Sequence, residues 1–339
     1  METLTAIGKW ISQSETLLSG TAAIIVLLGV LISLLGFIYR RVASARGTGS
    51  PAAEPTQEAE ITLKSLSAPA PFPIQFAESD GLRIAYAVLG SGRHDIVVAP
   101  GIISHLNITS HLPPIRDTLE SLCGFARVLC FDKRGQGLSD PSVSVPSLDE
   151  RVHDIEAVMD AAGMDRVILY GLSEGGPMCL KFAYDHPERI KGLVLLGTTA
   201  RWLQADDFPM GISGETLDAM TEAWGTGVLR DVFFPSITRK QMSDKTFQGF
   251  ERLIASRHSV RQLVDYMKKT DVRLLLPQIK CPTLVFHFAG DLAVPIRLGR
   301  ALAAALPHAE FLEVGGVDHA DLSQAPEAIE RIRRFADSL

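Results

Sequence analysis

The sequence predicts an α/β domain: a mostly parallel, eight-stranded sheet with helices on both faces, preceded by one transmembrane helix. Three observations carry this expectation. Short runs rich in β-branched residues, nearly continuous in apolar character, recur along the chain as strands covered on both faces do. Amphipathic stretches separate them, and such alternation folds into right-handed strand–helix–strand crossovers. Near the N-terminus, one long apolar run stands apart from this rhythm.

That run, AAIIVLLGVLISLLGFI over residues 22–38, is apolar on every face. With Thr21 and Tyr39 it reaches about 28 Å as a helix, close to a bilayer core of ~30 Å, and the transmembrane helix is expected over residues 21–40. A cleaved signal peptide fits less well. The tail, residues 1–20, carries Lys9 against Glu2 and Glu15, and Arg40 and Arg41 stand where a cleavage site wants small neutral residues. Arg40, Arg41 and Arg46 after the span, against Lys9 before it, place the following chain on the cytoplasmic side. Gly29, Ser33 and Gly36 share one helix face, which makes a second copy of the chain a candidate partner. Residues 41–73, rich in proline and alanine, read as a flexible linker.

Residues 74–339 read as one large domain. IQF (74–76) and RIAYAVLG (83–90) flank Asp80-Gly81 as an opening hairpin. The strands DIVVAP (95–100), RVLCFD (127–132), RVILYG (166–171), IKGLVLLG (190–197), PTLVFHFAG (282–290) and AEFLEV (309–314) follow. Among the helices, the clearest opens with a capping box of Ser147 and Glu150, repeats Leu148, Val152, Ile155 and Met159 on one face, and stops at Gly163. Two more are expected over 296–306 and 325–339. Between Thr198 and Lys280 no strand pattern survives. Leu217, Met220, Trp224 and Val228 keep helical spacing there, among many aromatic residues, so a helical insertion is expected.

Composition excludes several classes of function. The 339 residues are 46% apolar and 21% charged, with a net charge of −6 and no basic block, so nucleic acid is not an expected partner. Cys123, Cys130, Cys179 and Cys281 have neither metal-ligand nor redox spacing, and no cofactor or metal is implied.

Gly171-Leu172-Ser173-Glu174-Gly175 supplies the chemistry. This G-x-S-x-G pattern directly follows a strand and opens a helix over 175–185, the context a nucleophile elbow requires. The sharp turn strains the serine backbone and needs small residues on either side. The helix N-terminus behind it offers positive potential. A serine hydroxyl needs a base, and this architecture orders its residues serine, acid, histidine. His319, in GGVDHAD, follows the last strand and can return over Ser173. His94 and His308 lie at the wrong sheet edge, and His287 lies within a strand. Asp291, in FAGDLAVP, ends the preceding strand and would orient His319. Two backbone N–H groups, of Ile102 and Glu174, would hold the oxyanion, and the side chains there are free to vary.

The order VVAPG, FDKRGQGLSD, GLSEGG, GDLAVP, VDHA resembles the α/β-hydrolase superfamily over residues 74–339. FDKRGQGLSD is similar to a loop of its single-domain esterases, perhydrolases and C–C hydrolases. VAPGIISHL and LSEGGPM resemble hydrolase-like domains fused to bacterial class III adenylate cyclases, which implies a bacterial inner membrane. Pro100-Gly101 replaces the usual His-Gly, and Asp318 precedes His319 where a small residue is commoner. The resemblance implies that residues 199–280 form a helical lid, with Trp202, Trp224, Phe233 and Phe234 in a pocket for a small, partly apolar substrate. It implies a serine hydrolase acting on an ester-like bond. The alternatives are a non-catalytic ligand-binding sensor on the same fold, or perhydrolase or C–C hydrolase activity.

Overall fold

The structure is a computed structural model that describes residues 60–339. The predicted span lies outside the described residues, and among those residues no helix is long and apolar enough to cross a membrane. Eight strands form one sheet: β1 (Gln75–Ser79), β2 (Leu82–Leu89), β3 (His94–Ala99), β4 (Ala126–Phe131), β5 (Val167–Leu172), β6 (Ile190–Leu196), β7 (Thr283–Phe288) and β8 (Ala309–Val314). Their spatial order is β1-β2-β4-β3-β5-β6-β7-β8. β2 pairs antiparallel with β1 and with β4, and the remaining pairs are parallel. The Asp80-Gly81 hairpin forms as expected, with both residues at positive φ.

Alternate strand residues feed two cores, as the period of two requires. Leu129, Phe131, Leu193 and Leu195 pack on one face with Val152, Ile155 and Met159 of α4 (Leu148–Ala161) and with Phe182 of α5 (Gly175–Asp185). Leu302 of α10 (Ile296–Ala305) joins the same cluster. On the other face Val128, Cys130, Val194 and Leu196 meet Leu122 of α3 (Pro113–Cys123) and Ile332 and Phe335 of α11 (Pro326–Ser338). The capping box of α4 forms as predicted.

Between β6 and β7 the chain is helical, with α6 (Gly214–Ala223), α7 (Arg230–Phe233), α8 (Asp244–Ile254) and α9 (Arg257–Lys269). The predicted period overruns here. Trp224 caps α6, and Val228 is exposed outside it, because Gly225 and Gly227 take positive φ and end the helix. The insertion packs through a third apolar cluster of its own, which includes Trp202, Trp224, Phe234, Phe247 and Phe250.

Residues 60–73, expected as flexible linker, are instead docked on this cluster. Thr62 and Ser65 form a capping box on α1 (Leu63–Leu66), and Leu66 is fully buried. Ile61 donates its N–H to Gln241 O at 2.7 Å. Asn107, in α2 (Leu106–Thr109), clamps Ala68 O and Ala70 N. Composition suggested a linker, but two apolar residues spaced to face one groove were enough to order it. Leu66→Ala is expected to cost about 2–3 kcal/mol through the cavity left behind. That should lower the thermal midpoint by several degrees in circular dichroism. An unchanged midpoint would mean that this strap is not held.

Candidate active site

β5 runs directly into α5 with Ser173 at the turn. Ser173 has φ 52 and is one of two non-glycine residues with positive φ among those described. Left-handed backbone costs a side-chain-bearing residue roughly 1–2 kcal/mol, so its surroundings must enforce it. Ser173 N donates to Leu196 O at 2.9 Å, and Ser173 O accepts from the buried Thr198 hydroxyl at 2.5 Å. The helix comes so close that a Cβ on Gly175 would sit 2.4 Å from Ala99 O, and one on Gly176 2.1 Å from Thr198 Oγ1. The small-residue pattern read from the sequence thus reflects backbone packed against neighbouring strands.

His319 is buried in the loop after β8. Its Nδ1 lies 2.8 Å from Asp291 Oδ2, in the turn after β7. The other Asp291 oxygen accepts from Ala293 N at 2.8 Å and Val294 N at 3.0 Å. Burial raises the Asp291 carboxyl's pKa, but His319 and the Val294 N–H outweigh it and hold it below the ordinary value. His287 approaches Asp291 at 3.6 Å, yet its Nε2 bonds Val294 O at 2.7 Å, and burial lowers its pKa. It is the strand residue the sequence implied. Asp318 points elsewhere, accepting from Ser236 N at 2.8 Å and from the Ser236 hydroxyl. His319 Nε2 is buried and has no hydrogen-bond partner among the described residues.

Ser173 and His319 line one cleft, with about 670 Å³ of empty space when the solvent at its open mouth is included. Ile102, Trp224, Phe233, Phe234, Phe247 and Phe250 contribute to its almost wholly apolar wall. Phe233 also fixes the histidine: His319 N donates to Phe233 O at 3.0 Å, and the two rings lie 5.9 Å apart. Trp202 was expected among the pocket rings and is not one of them. It is 1% exposed within the apolar cluster of the insertion, where its carbonyl accepts from Ile212 N at 2.8 Å. Gly101, whose Cβ position is 3.9 Å from Ser173 Oγ, brings the loop after β3 beside the serine. Neither Ile102 N–H nor Glu174 N–H has an acceptor among the described residues.

Several residues escaped the sequence reading. The Glu174 side chain, expected to be free to vary, is 3% exposed and held by Lys133 and Arg151, each 1% exposed. Glu251, on α8, also lines the cavity. Its Oε2 accepts from Gly227 N at 2.7 Å, and burial pushes its pKa up to about 7. An acidic residue beside the serine and a lysine before Arg134 were visible signals, but nothing local indicated that they would meet.

A parallel-centred sheet, a strained serine at a strand-to-helix turn and a buried Asp–His pair after the last two strands define an α/β hydrolase. The chain belongs to the hydrolase family described as "Serine aminopeptidase, S33", whose profile matches residues 90–319. It is 24% identical over 259 residues to the Karrikin insensitive 2 receptor CA of Petunia hybrida, covering 71% of this chain and 91% of that one. It is 27% identical to a 2-hydroxy-6-oxononadienedioate/2-hydroxy-6-oxononatrienedioate hydrolase of Cupriavidus pinatubonensis, covering 66% and 79%. Among solved structures, an esterase from Exiguobacterium antarcticum aligns with a TM-score of 0.68 at 22% identity, covering 78% of this chain and 99% of the other.

The backbone strain gives a stability test. Ser173→Gly should unfold at a higher temperature than Ser173→Ala, since only glycine relieves the positive φ, worth about 1 kcal/mol. Calorimetry on both variants reads the difference directly. Equal midpoints would mean that the turn relaxes without strain.

Proposed function

We propose that this chain is a membrane-anchored serine hydrolase. It cleaves an ester-like bond of a small, partly apolar substrate through Ser173, His319 and Asp291. The observation that carries the reading is the 2.8 Å Asp291–His319 contact, with His319 and the strained Ser173 on one apolar cavity. His319 Nε2 takes the Ser173 proton as Oγ attacks the carbonyl. Asp291 holds the Nδ1–H tautomer and stabilises the imidazolium. The Ile102 and Glu174 N–H groups receive the oxyanion. The tetrahedral intermediate collapses to the acyl-enzyme as the His319 imidazolium returns its proton to the leaving alcohol, and water activated at the same histidine then hydrolyses the acyl-enzyme to acid and free Ser173. In an unliganded site the serine–histidine hydrogen bond often closes only when substrate binds. The rings of Trp224, Phe233 and Phe234 receive the apolar part of the substrate.

Ser173→Ala is expected to abolish fluorophosphonate labelling, and both Ser173→Ala and His319→Ala to lower ester turnover by about three orders of magnitude or more. Asp291→Asn should lower turnover strongly with little change in substrate binding. Turnover that survives in folded Ser173→Ala protein sinks the mechanism. A second reading, a ligand sensor, is favoured by the receptor among the relatives. It predicts labelling at Ser173 and ligand binding without multiple turnover across a panel of acyl esters.

The anchor is part of the proposal. Residues 21–40 span a bacterial inner membrane, residues 41–59 link it to the cytoplasmic hydrolase domain, and the face of Gly29, Ser33 and Gly36 pairs two copies. Support comes from the unbroken apolar run and the arginines that follow it. Full-length protein should sediment with membranes and resist alkaline carbonate extraction, whereas a chain beginning at residue 60 should stay in the supernatant. Full-length protein released by carbonate would remove the anchor.

A further inference from the structure

We propose that Lys133 acts as a positioning and polarising residue for the oxyanion site, working through the peptide bond between Gly101 and Ile102. This rests on the hydrolase reading above. The buried Lys133 ammonium donates to Gly101 O at 2.6 Å, to Ile102 O at 3.3 Å and to Glu174 Oε2 at 2.5 Å. Gly101 C=O and Ile102 N–H belong to one planar peptide and point in opposite directions. A cation fixed on that carbonyl therefore orients the N–H away from itself. It also draws electron density through the amide, which strengthens the N–H as a donor. A charge-assisted bond is roughly twice as strong as a neutral one, and burial leaves its field little screened.

The same ammonium reaches the second donor. Glu174 provides the other N–H, and its carboxylate joins Lys133 to Arg151, whose guanidinium stacks 4.1 Å from the Tyr266 ring centroid on α9. One buried cation thus spans the loop after β3 and the first residue after the nucleophile, the two segments whose spacing sets the oxyanion site. The charged side chains of this network, Lys133, Glu174 and Arg151, do not line the cavity, so substrate binding has no direct need of them. Burying a charge merely for stability is costly, since desolvation offsets much of what its pairing contributes.

The charged groups facing Lys133 are Glu174 at the start of α5, Arg151 on α4 and Asp132 after β4. Burial lowers the Lys133 pKa to about 8, against the pull of Glu174. The cation is then lost as pH rises through about 8, and the oxyanion site weakens with it. An arginine at this position keeps its charge across that range.

Turnover of p-nitrophenyl esters and binding of a trifluoromethyl ketone, which forms a tetrahedral adduct with the serine, test the proposal in the full-length protein. Lys133→Met is expected to lower kcat about tenfold, a fraction of the 10²–10³ lost with a whole oxyanion donor. KM should stay within about twofold, and ketone affinity should fall by the same factor as kcat. Wild type should lose kcat above pH 8, and Lys133→Arg should remove that alkaline limb while retaining most activity at pH 7. If Lys133→Met does not fold, the arginine profile decides alone. An alkaline limb unchanged in Lys133→Arg, or a Lys133→Met variant whose kcat and ketone affinity match wild type, overturns the proposal. A wild type that neither turns over esters nor takes fluorophosphonate overturns the hydrolase reading itself, and this inference with it.

Discussion

The close approach of α5 to the sheet is the constraint on which the site depends. Ser173 can stand in left-handed backbone only because glycine on its helix side lets the chain pass against Ala99, Pro100 and Thr198. That contact places the serine at the C-terminal edge of β5, between the loop after β3 and the end of β6. The parallel registers of β3 with β5 and of β5 with β6 carry the two neighbouring segments to the same height. Strain at one residue is therefore balanced by packing spread over three strands.

The two sides of Ser173 differ sharply in polarity. On the cavity side, aromatic rings from the insertion make an apolar wall with few polar groups. On the other side, Lys133, Glu174 and Arg151 form a buried ionic chain. Ions so placed are tolerated only when every partner is satisfied. Here Glu174 meets two cations, and Lys133 adds two carbonyls. The loop from residue 132 to 140 is pinned in the same way. Asp132 accepts from Leu106 N and Leu138 N, and Arg134 binds Asp154 at 2.7 Å. A polar base with its charges paired beneath an apolar wall is an arrangement that holds fixed dipoles beside an apolar cavity.

The strap over residues 60–73 packs against the cover of the cavity. Leu63 packs on α8 at Gly249, where a Cβ would come within 2.6 Å of it, and Leu66 is buried among the residues that support the cavity rings. Asn107 and His111 fix its far end close to the loop that carries Ile102. The insertion is thus held from two sides, by the strap and by the bond from His319 N to Phe233 O.

What the sequence determined by itself was whatever local pattern encodes. The eight strands were legible to within a few residues because buried parallel strands have few alternatives to a short β-branched run. Ser173 was legible because its turn imposes glycine at fixed offsets, and Asp291 and His319 because each follows a strand by a few residues. Tertiary structure alone decided the rest. α6 stops before Val228 because of two glycine turns, which a purely apolar period ignores. Trp202 leaves the pocket because burial in a cluster and exposure to a cavity look identical in composition. The strap orders because its partners, Gln241, Gly249 and Asn107, reach it only in the folded chain. Lys133 and Glu174, separated by 41 positions, become partners only once β4 and β5 lie on either side of β3. Long-range pairs of this kind leave no periodic trace, since the chain between them fixes their distance only after it has folded.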